Sequence, residues 1–232
     1  LYSSAASDVY KRQMLVWSGL AQGARQGDNA CHTPLKFHGM EPGTMKQALI
    51  VIDVQDSFRQ RPFWDESEYP AFVSQLQGLI DSAVARGIPV LQVFHISAAN
   101  DAANPFSLAS GHVKTLDEIR ISPDAVFHKT VHSSLYAKAA DGSTLQDWLA
   151  ANGIEGVIVS GIRTEQCCET TTRHASDAGY KVVFPTDATL TFAMQSPSGQ
   201  HYTPAEIRDR TELVLQGRFA RIARAADAFA SA

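Results

Sequence analysis

An α/β/α arrangement, with a mainly parallel sheet covered by helices on both faces, is what the chain predicts. Strand-length apolar runs alternate with stretches of helical periodicity along most of its length. The connections between them are short, and no linker or repeat divides the region, so one domain suffices. Polar residues of chemical interest stand at the ends of three of the apolar runs. In parallel sheets the ligand crevice lies outside the carboxyl ends of the strands.

The elements follow in order. "QALIVIDV" (47–54) is a continuous apolar run, as expected of a strand covered on both faces. Residues 69–86 carry Phe72, Val73, Leu76, Leu79, Ile80, Ala83 and Val84 at helical spacing, closed by Gly87 with Pro89 beyond. "PVLQVFHI" (89–96) and "DAVFHK" (124–129) read as strands. "STLQDWLAANG" (143–153) reads as a helix capped by Ser143 and stopped by Gly153. "EGVIVSG" (155–161) is the fourth strand, 164–178 the next helix with Thr164 as its cap, and "KVVFPTDA" (181–188) the fifth strand. A helix opens at Pro204 and ends at Gly217, and "RFARIA" (218–223) is expected as an edge strand.

The beginning of the chain differs in kind. Residues 3–13, "SSAASDVYKRQ", resemble the translation of a transposase adaptor used in preparing sequencing libraries, and are set aside from fold reasoning. Residues 14–44 show no sustained periodicity and are broken repeatedly by glycine and proline. The whole segment 1–44 is therefore expected to be a non-native or disordered extension, with Met45 as the natural start and the domain spanning 45–232. Cys31, His32 and His38 fall in this segment, and three donor residues without a rigid frame do not make a metal site.

Bulk properties exclude several classes. Charged residues are 19% of the chain and the net charge is −4, so there is no basic surface for nucleic acid or an anionic membrane. No apolar run reaches the ~20 residues of a membrane span. An odd total of 3 cysteines, two of them adjacent, argues against a disulfide scaffold and for a reducing, cytoplasmic setting. No cofactor is implied. The expected partner is a small-molecule substrate, with a homo-oligomer left open.

Three strand ends carry the chemistry. The first apolar run encloses Asp53, a carboxylate that burial without a partner would penalise by several kcal/mol. The third ends at Lys129. The fourth leads through Gly161 and Thr164 to the adjacent pair Cys167 and Cys168. An acid, a lysine and a thiol at the carboxyl ends of one parallel sheet can converge into an activated nucleophile, helped by the positive end of the following helix. Between the cysteines, Cys168 begins a series with Thr171, Thr172, Ala175 and Ala178 that suits a helix packed on the sheet. Cys167 points about 100° away, toward the helix mouth, where unpaired N–H groups can hold an oxyanion. Phe58, Phe63 and Trp64 follow the first strand and are candidates to wall a pocket, with Gln55 and Tyr136 as further candidates.

The pieces "ALIVIDVQDSF", "HKTVHSSL" and "GIRTEQCCETTTRHA", in that order, resemble the isochorismatase-like cysteine hydrolases, a family that includes nicotinamidases and N-carbamoyl amidohydrolases. The resemblance covers roughly Met45 to the C-terminus. It implies a six-stranded sheet of order 3-2-1-4-5-6 and an Asp53–Lys129–Cys167 triad, with Asp53 the general base, Cys167 the nucleophile and Lys129 its electrostatic partner. It also implies a cis peptide between Ile162 and Arg163, with the backbone N–H groups of Arg163 and Cys167 as oxyanion donors. Two departures narrow it. The Asp-x-His metal motif of nicotinamidases is absent from "RQRPFWDESEYP" and "FHISAAND", which leaves His95 as a packed or hydrogen-bonding residue and no metal expected. Siderophore-type isochorismatases carry glycine where Cys167 stands. The expected activity is hydrolysis of a C–N bond in a small amide or carbamoyl compound through a thioester. Vinyl-ether hydrolysis, or a redox-sensing or binding role without catalysis, are the alternatives.

Overall fold

The computed structural model describes residues 45–230. Readings that concern 1–44, including Cys31, His32 and His38, lie outside the described residues.

Six strands form the main path of the sheet: β1 (Gln47–Ile52), β2 (Val90–His95), β3 (Ala125–Lys129), β4 (Gly156–Ile162), β5 (Lys181–Pro185) and β6 (Arg221–Ala223). They are ordered β3-β2-β1-β4-β5-β6 and every pairing is parallel. The expected edge strand is present but short. A two-residue strand not foreseen in the sequence, Thr189–Leu190, pairs with Gly161 and Ile162 at the carboxyl end of β4. It takes over where β5 diverges, and so lengthens the sheet only beside the nucleophile turn.

Helix α1 (Tyr69–Ala85) packs on one face, joined there by the 3-10 turn Ala225–Asp227, and α2 (Leu145–Ala151), α3 (Glu169–Asp177) and α4 (Pro204–Leu215) pack on the other. Alternation along β1 separates the two cores. Leu49 and Val51 meet Phe72, Leu76, Leu79, Ile80 and Ala83 of α1. Ala48, Ile50 and Ile52 face Leu145, Leu149, Cys168, Ala175 and Leu215. Leu76 and Leu79 are fully buried, and each such side chain contributes about 1.5–3 kcal/mol relative to exposure. Val84, at the end of the expected apolar series, instead faces solvent. Gly87 takes the left-handed conformation that ends α1, at φ 66°.

Local chemistry shifts two helix starts. At α2 the cap is Thr144, not Ser143. Thr144 Oγ1 accepts from Asp147 N–H while Asp147 Oδ2 accepts from Thr144 N–H, a reciprocal box that leaves Ser143 to donate to Asp141. After β4, the expected cap Thr164 bonds Thr189 Oγ1 at 2.8 Å instead. Residues Thr164–Cys168 form a wide π-turn, closed by Cys168 N–H to the Arg163 carbonyl at 3.2 Å, and α3 proper starts at Glu169. The peptide between Ile162 and Arg163 is cis.

Candidate active site

The topology places the carboxyl end of β1 beside that of β4, with β3 on the other side of β1 and β2 between them. Asp53 directly follows β1 in a left-handed conformation, φ 55°, which turns its side chain off the strand pattern at the sheet edge. Lys129 is the last residue of β3, and Cys167 sits in the π-turn after β4. All three are buried, at 0%, 2% and 5% exposure.

Lys129 organises the cluster. Its ammonium donates to Asp53 Oδ2 at 2.7 Å, to Cys167 Sγ at 3.3 Å and to His95 Nδ1 at 3.2 Å. Three donors thus meet three acceptors, as a buried ammonium requires. The contact places the proton of neutral His95 on Nε2. Burial, and then the Lys129 charge, lower the His95 pKa and keep that ring neutral. Burial opposes the Lys129 charge too, but the Asp53 carboxylate beside it favours the charged form, and its pKa is raised.

One ligand atom each of Asp53, His95 and Cys167 lies within 4.8 Å of the others, a spacing a metal ion could use. The Lys129 ammonium already bonds all three, so a cation occupies the centre and the donor set does not fit a metal as it stands.

Gln55 holds this arrangement from behind. Its side-chain amide donates to the His95 carbonyl at 3.0 Å and accepts from His95 N–H at 2.8 Å, extending β1–β2 pairing by one residue. On the far side, Thr171 Oγ1 accepts from Ser134 N–H at 2.9 Å, and Ser133 Oγ meets His174 Nδ1 at 2.8 Å. These bonds tie the loop after Lys129 to the helix after Cys167.

The surroundings of the thiol pull in opposite directions. Burial first, and then the Asp53 carboxylate, push Cys167 up to about 12, against the opposing pull of Lys129. The helix that was to help begins two residues later, at Glu169. Burial and Asp53 both favour the thiol over the thiolate. Cys168 is fully buried, and burial pushes its thiol well above the ordinary range as well. It packs with Thr171, Thr172 and Ala175 against the sheet, while Ala178, the last of the expected series, is exposed. Both cysteines are free.

Cys167 and Asp53 open on a cleft of about 580 Å³. Phe58, Phe63 and Phe106 form its apolar wall, and Arg61, Arg163 and Asn104 lie among its polar lining. Two other concavities, of about 540 and 840 Å³, lie away from the cluster. Of the pocket candidates, Phe58 and Phe63 line the cleft, and Gln55, Trp64 and Tyr136 do not. Gln55 is the clamp just described. Trp64 packs on Tyr69 and Phe192 at 5.4 and 5.3 Å between ring centroids. Tyr136 is 60% exposed and leans on His174. Arg61, Asn104, Phe106 and His132 carried no signal in the sequence, since they belong to loops whose convergence only the fold reveals. His132 Nδ1 lies 3.8 Å from Cys167 Sγ, and its place three residues after Lys129 was the one available hint.

The sequence model of the isochorismatase domain matches residues 47–212. The chain belongs to the isochorismatase-like hydrolase family. An uncharacterized isochorismatase family protein of Bacillus subtilis (strain 168) is 28% identical over 181 residues, covering 76% of this chain and 91% of that one. Nicotinamidase 3 of Arabidopsis thaliana is 30% identical over 164 residues, covering 66% and 77%. A solved isochorismatase-family structure from Chromobacterium violaceum superposes with a TM-score of 0.69 at 25% identity, covering 86% of this chain and 97% of that one. The isochorismatase match includes Asp53, Lys129 and Cys167 within its bounds. Among the described residues no helix is long and apolar enough to cross a membrane.

Proposed function

We propose that this isochorismatase-family hydrolase cleaves a C–N bond of a small amide or carbamoyl compound through a thioester on Cys167. The observation that carries the reading is the contact of Lys129 with both Asp53 Oδ2 and Cys167 Sγ at the floor of the cleft. The similarity to a nicotinamidase agrees with amide chemistry.

Burial and Asp53 favour the thiol form of Cys167, so in this reading activation accompanies substrate binding. Asp53 Oδ1 is buried with no hydrogen-bond partner and is the oxygen left to take a proton. As the sulfur attacks the carbonyl carbon, the S–C bond forms and the thiol proton passes to Asp53. Lys129 stabilises the negative charge on sulfur during transfer. The backbone N–H groups of Arg163 and Cys167 hold the oxyanion, a contribution of ~10²–10³ in rate for such a donor. Collapse breaks the C–N bond, and Asp53 returns the proton to the departing amine. Water then attacks the thioester, giving its proton to Asp53, and the S–C bond breaks to restore the thiol.

Ammonia release from a panel of amides, carbamoyl compounds and ureides tests this, with Cys167→Ala as the blank. Turnover that vanishes in the variant supports it. Turnover that survives moves the chemistry to acid catalysis by Asp53, as vinyl-ether hydrolysis needs. No turnover at all, together with clean peroxide oxidation of Cys167, points to a redox role.

A further inference from the structure

The cleft is lined by charges of both signs that are not evenly matched. Among the described residues only one acidic side chain lines it, Asp53, and that carboxylate is matched by Lys129 at 2.7 Å. Two guanidinium groups line it as well, from Arg61 and Arg163, and both lie over the same ring, Phe63, at 6.0 and 4.8 Å. Arg163 is matched by Glu165 at 2.9 Å, with both side chains 9% exposed, and Thr191 holds the other oxygen of Glu165 at 2.6 Å. Arg61 enters no ion pair among the described residues. Lys129 cancels Asp53 and Arg163 cancels Glu165, so the cleft keeps the single positive charge of Arg61. Arg163 Nε is buried and has no hydrogen-bond partner among the described residues.

We infer that the substrate carries a carboxylate at the end remote from the scissile amide, received by Arg61 with Arg163 beside it. This rests on the hydrolase reading for the position of the reacting carbonyl at Cys167, and it adds the recognition that reading lacks. The aromatic wall of Phe58, Phe63 and Phe106 suits an apolar spacer between the two ends. Arg61 is exposed at the mouth of the cleft beside the Phe63 ring, where its planar fork of N–H donors matches a carboxylate. Excess positive charge in a cleft with apolar walls raises the local concentration of anions.

The test compares two matched pairs of primary amides: 4-carbamoylbenzoate with 4-methylbenzamide, and succinamate with pentanamide. Ammonia release is measured for the full chain and for Arg61→Gln and Arg61→Lys. The carboxylate member should be preferred in kcat/KM by about ten- to hundredfold, the range of a charge-assisted hydrogen bond to a guanidinium. Arg61→Gln should reduce that ratio to within a few fold, mainly through KM, and Arg61→Lys should keep part of it. Raising the salt concentration should shrink the ratio in the parent chain but not in Arg61→Gln. Equal kcat/KM for both members of each pair, or a preference unchanged by Arg61→Gln, overturns the inference. Calorimetric binding of the same four compounds to Cys167→Ala provides a readout independent of turnover. Arg61-dependent binding of the acids without turnover keeps the carboxylate site and removes the hydrolase reading. Absence of any difference between acids and neutral amides removes the site.

Discussion

Lys129 donates to Asp53 Oδ2 at 2.7 Å with both side chains at 0% exposure. Neither charge is tolerable alone at that depth. Removing the cation in Lys129→Ala should cost about 3–5 kcal/mol of stability, because it leaves the carboxylate buried and unpaired. It should also abolish turnover. Denaturant midpoints of Lys129→Ala and of the double variant Lys129→Ala, Asp53→Ala report the pairing. The double variant should recover part of the lost stability and none of the activity.

His95 accepts the third proton of that ammonium through Nδ1. In His95→Leu the donor loses its acceptor, at a cost of about 1–3 kcal/mol, and kcat should fall with it. His95→Gln offers an acceptor again and should restore part of both. Equal losses in the two variants would show that the ring serves packing alone.

Gly161 is a point where the fold leaves no room for a side chain. A Cβ there would stand 2.0 Å from the Ile52 carbonyl oxygen, and φ is 122°. The clash is with backbone of the neighbouring strand, so no side chain can yield. Gly161→Ala should separate β4 from β1 next to the nucleophile turn and lower stability by several kcal/mol, above the ~1 kcal/mol of a typical substitution. Thermal unfolding and kcat measured together check it, and both should drop.

The raised thiol sets a direction for pH. Cys167 moves from an ordinary 9.0 up to about 12 because burial, and then Asp53, disfavour the thiolate. Folding favours the protonated form, so this stabilisation is present below pH 9 and is lost as pH rises toward 12. Stability should decline across that window, and less steeply in Cys167→Ala. Iodoacetamide alkylation without substrate should be slow at neutral pH and increase through the same window. Peptide mapping should place the label on Cys167 well before Cys168, which is fully buried.

Much of this was legible in the sequence because parallel sheets put polar residues at strand ends to use. Asp53, Lys129 and Cys167 stood at three such ends, and helical spacing separated the cleft thiol from the packing thiol. Cap competition was less legible: Thr144 displaced Ser143 because only Thr144 has an acidic residue three positions on, Asp147, to complete the box. The π-turn before α3 has no pattern of its own. It follows from Thr164 bonding to Thr189 on a strand two residues long. The polarity of the cleft was least legible, because Arg61, Asn104 and Phe106 come from loops whose spacing says nothing about where they meet. Gln55, next to Asp53 but one, belonged to the scaffold behind the site rather than to its lining.

The covalent role of Cys167 is the centre of the account. Rapid quench of the full chain during turnover, followed by intact mass and peptide mapping, measures it most directly. An acyl adduct on Cys167 that forms and decays at rates consistent with kcat, and is absent in Cys167→Ala together with turnover, is the predicted result. Full turnover by Cys167→Ala, with no adduct in the parent chain, would contradict it.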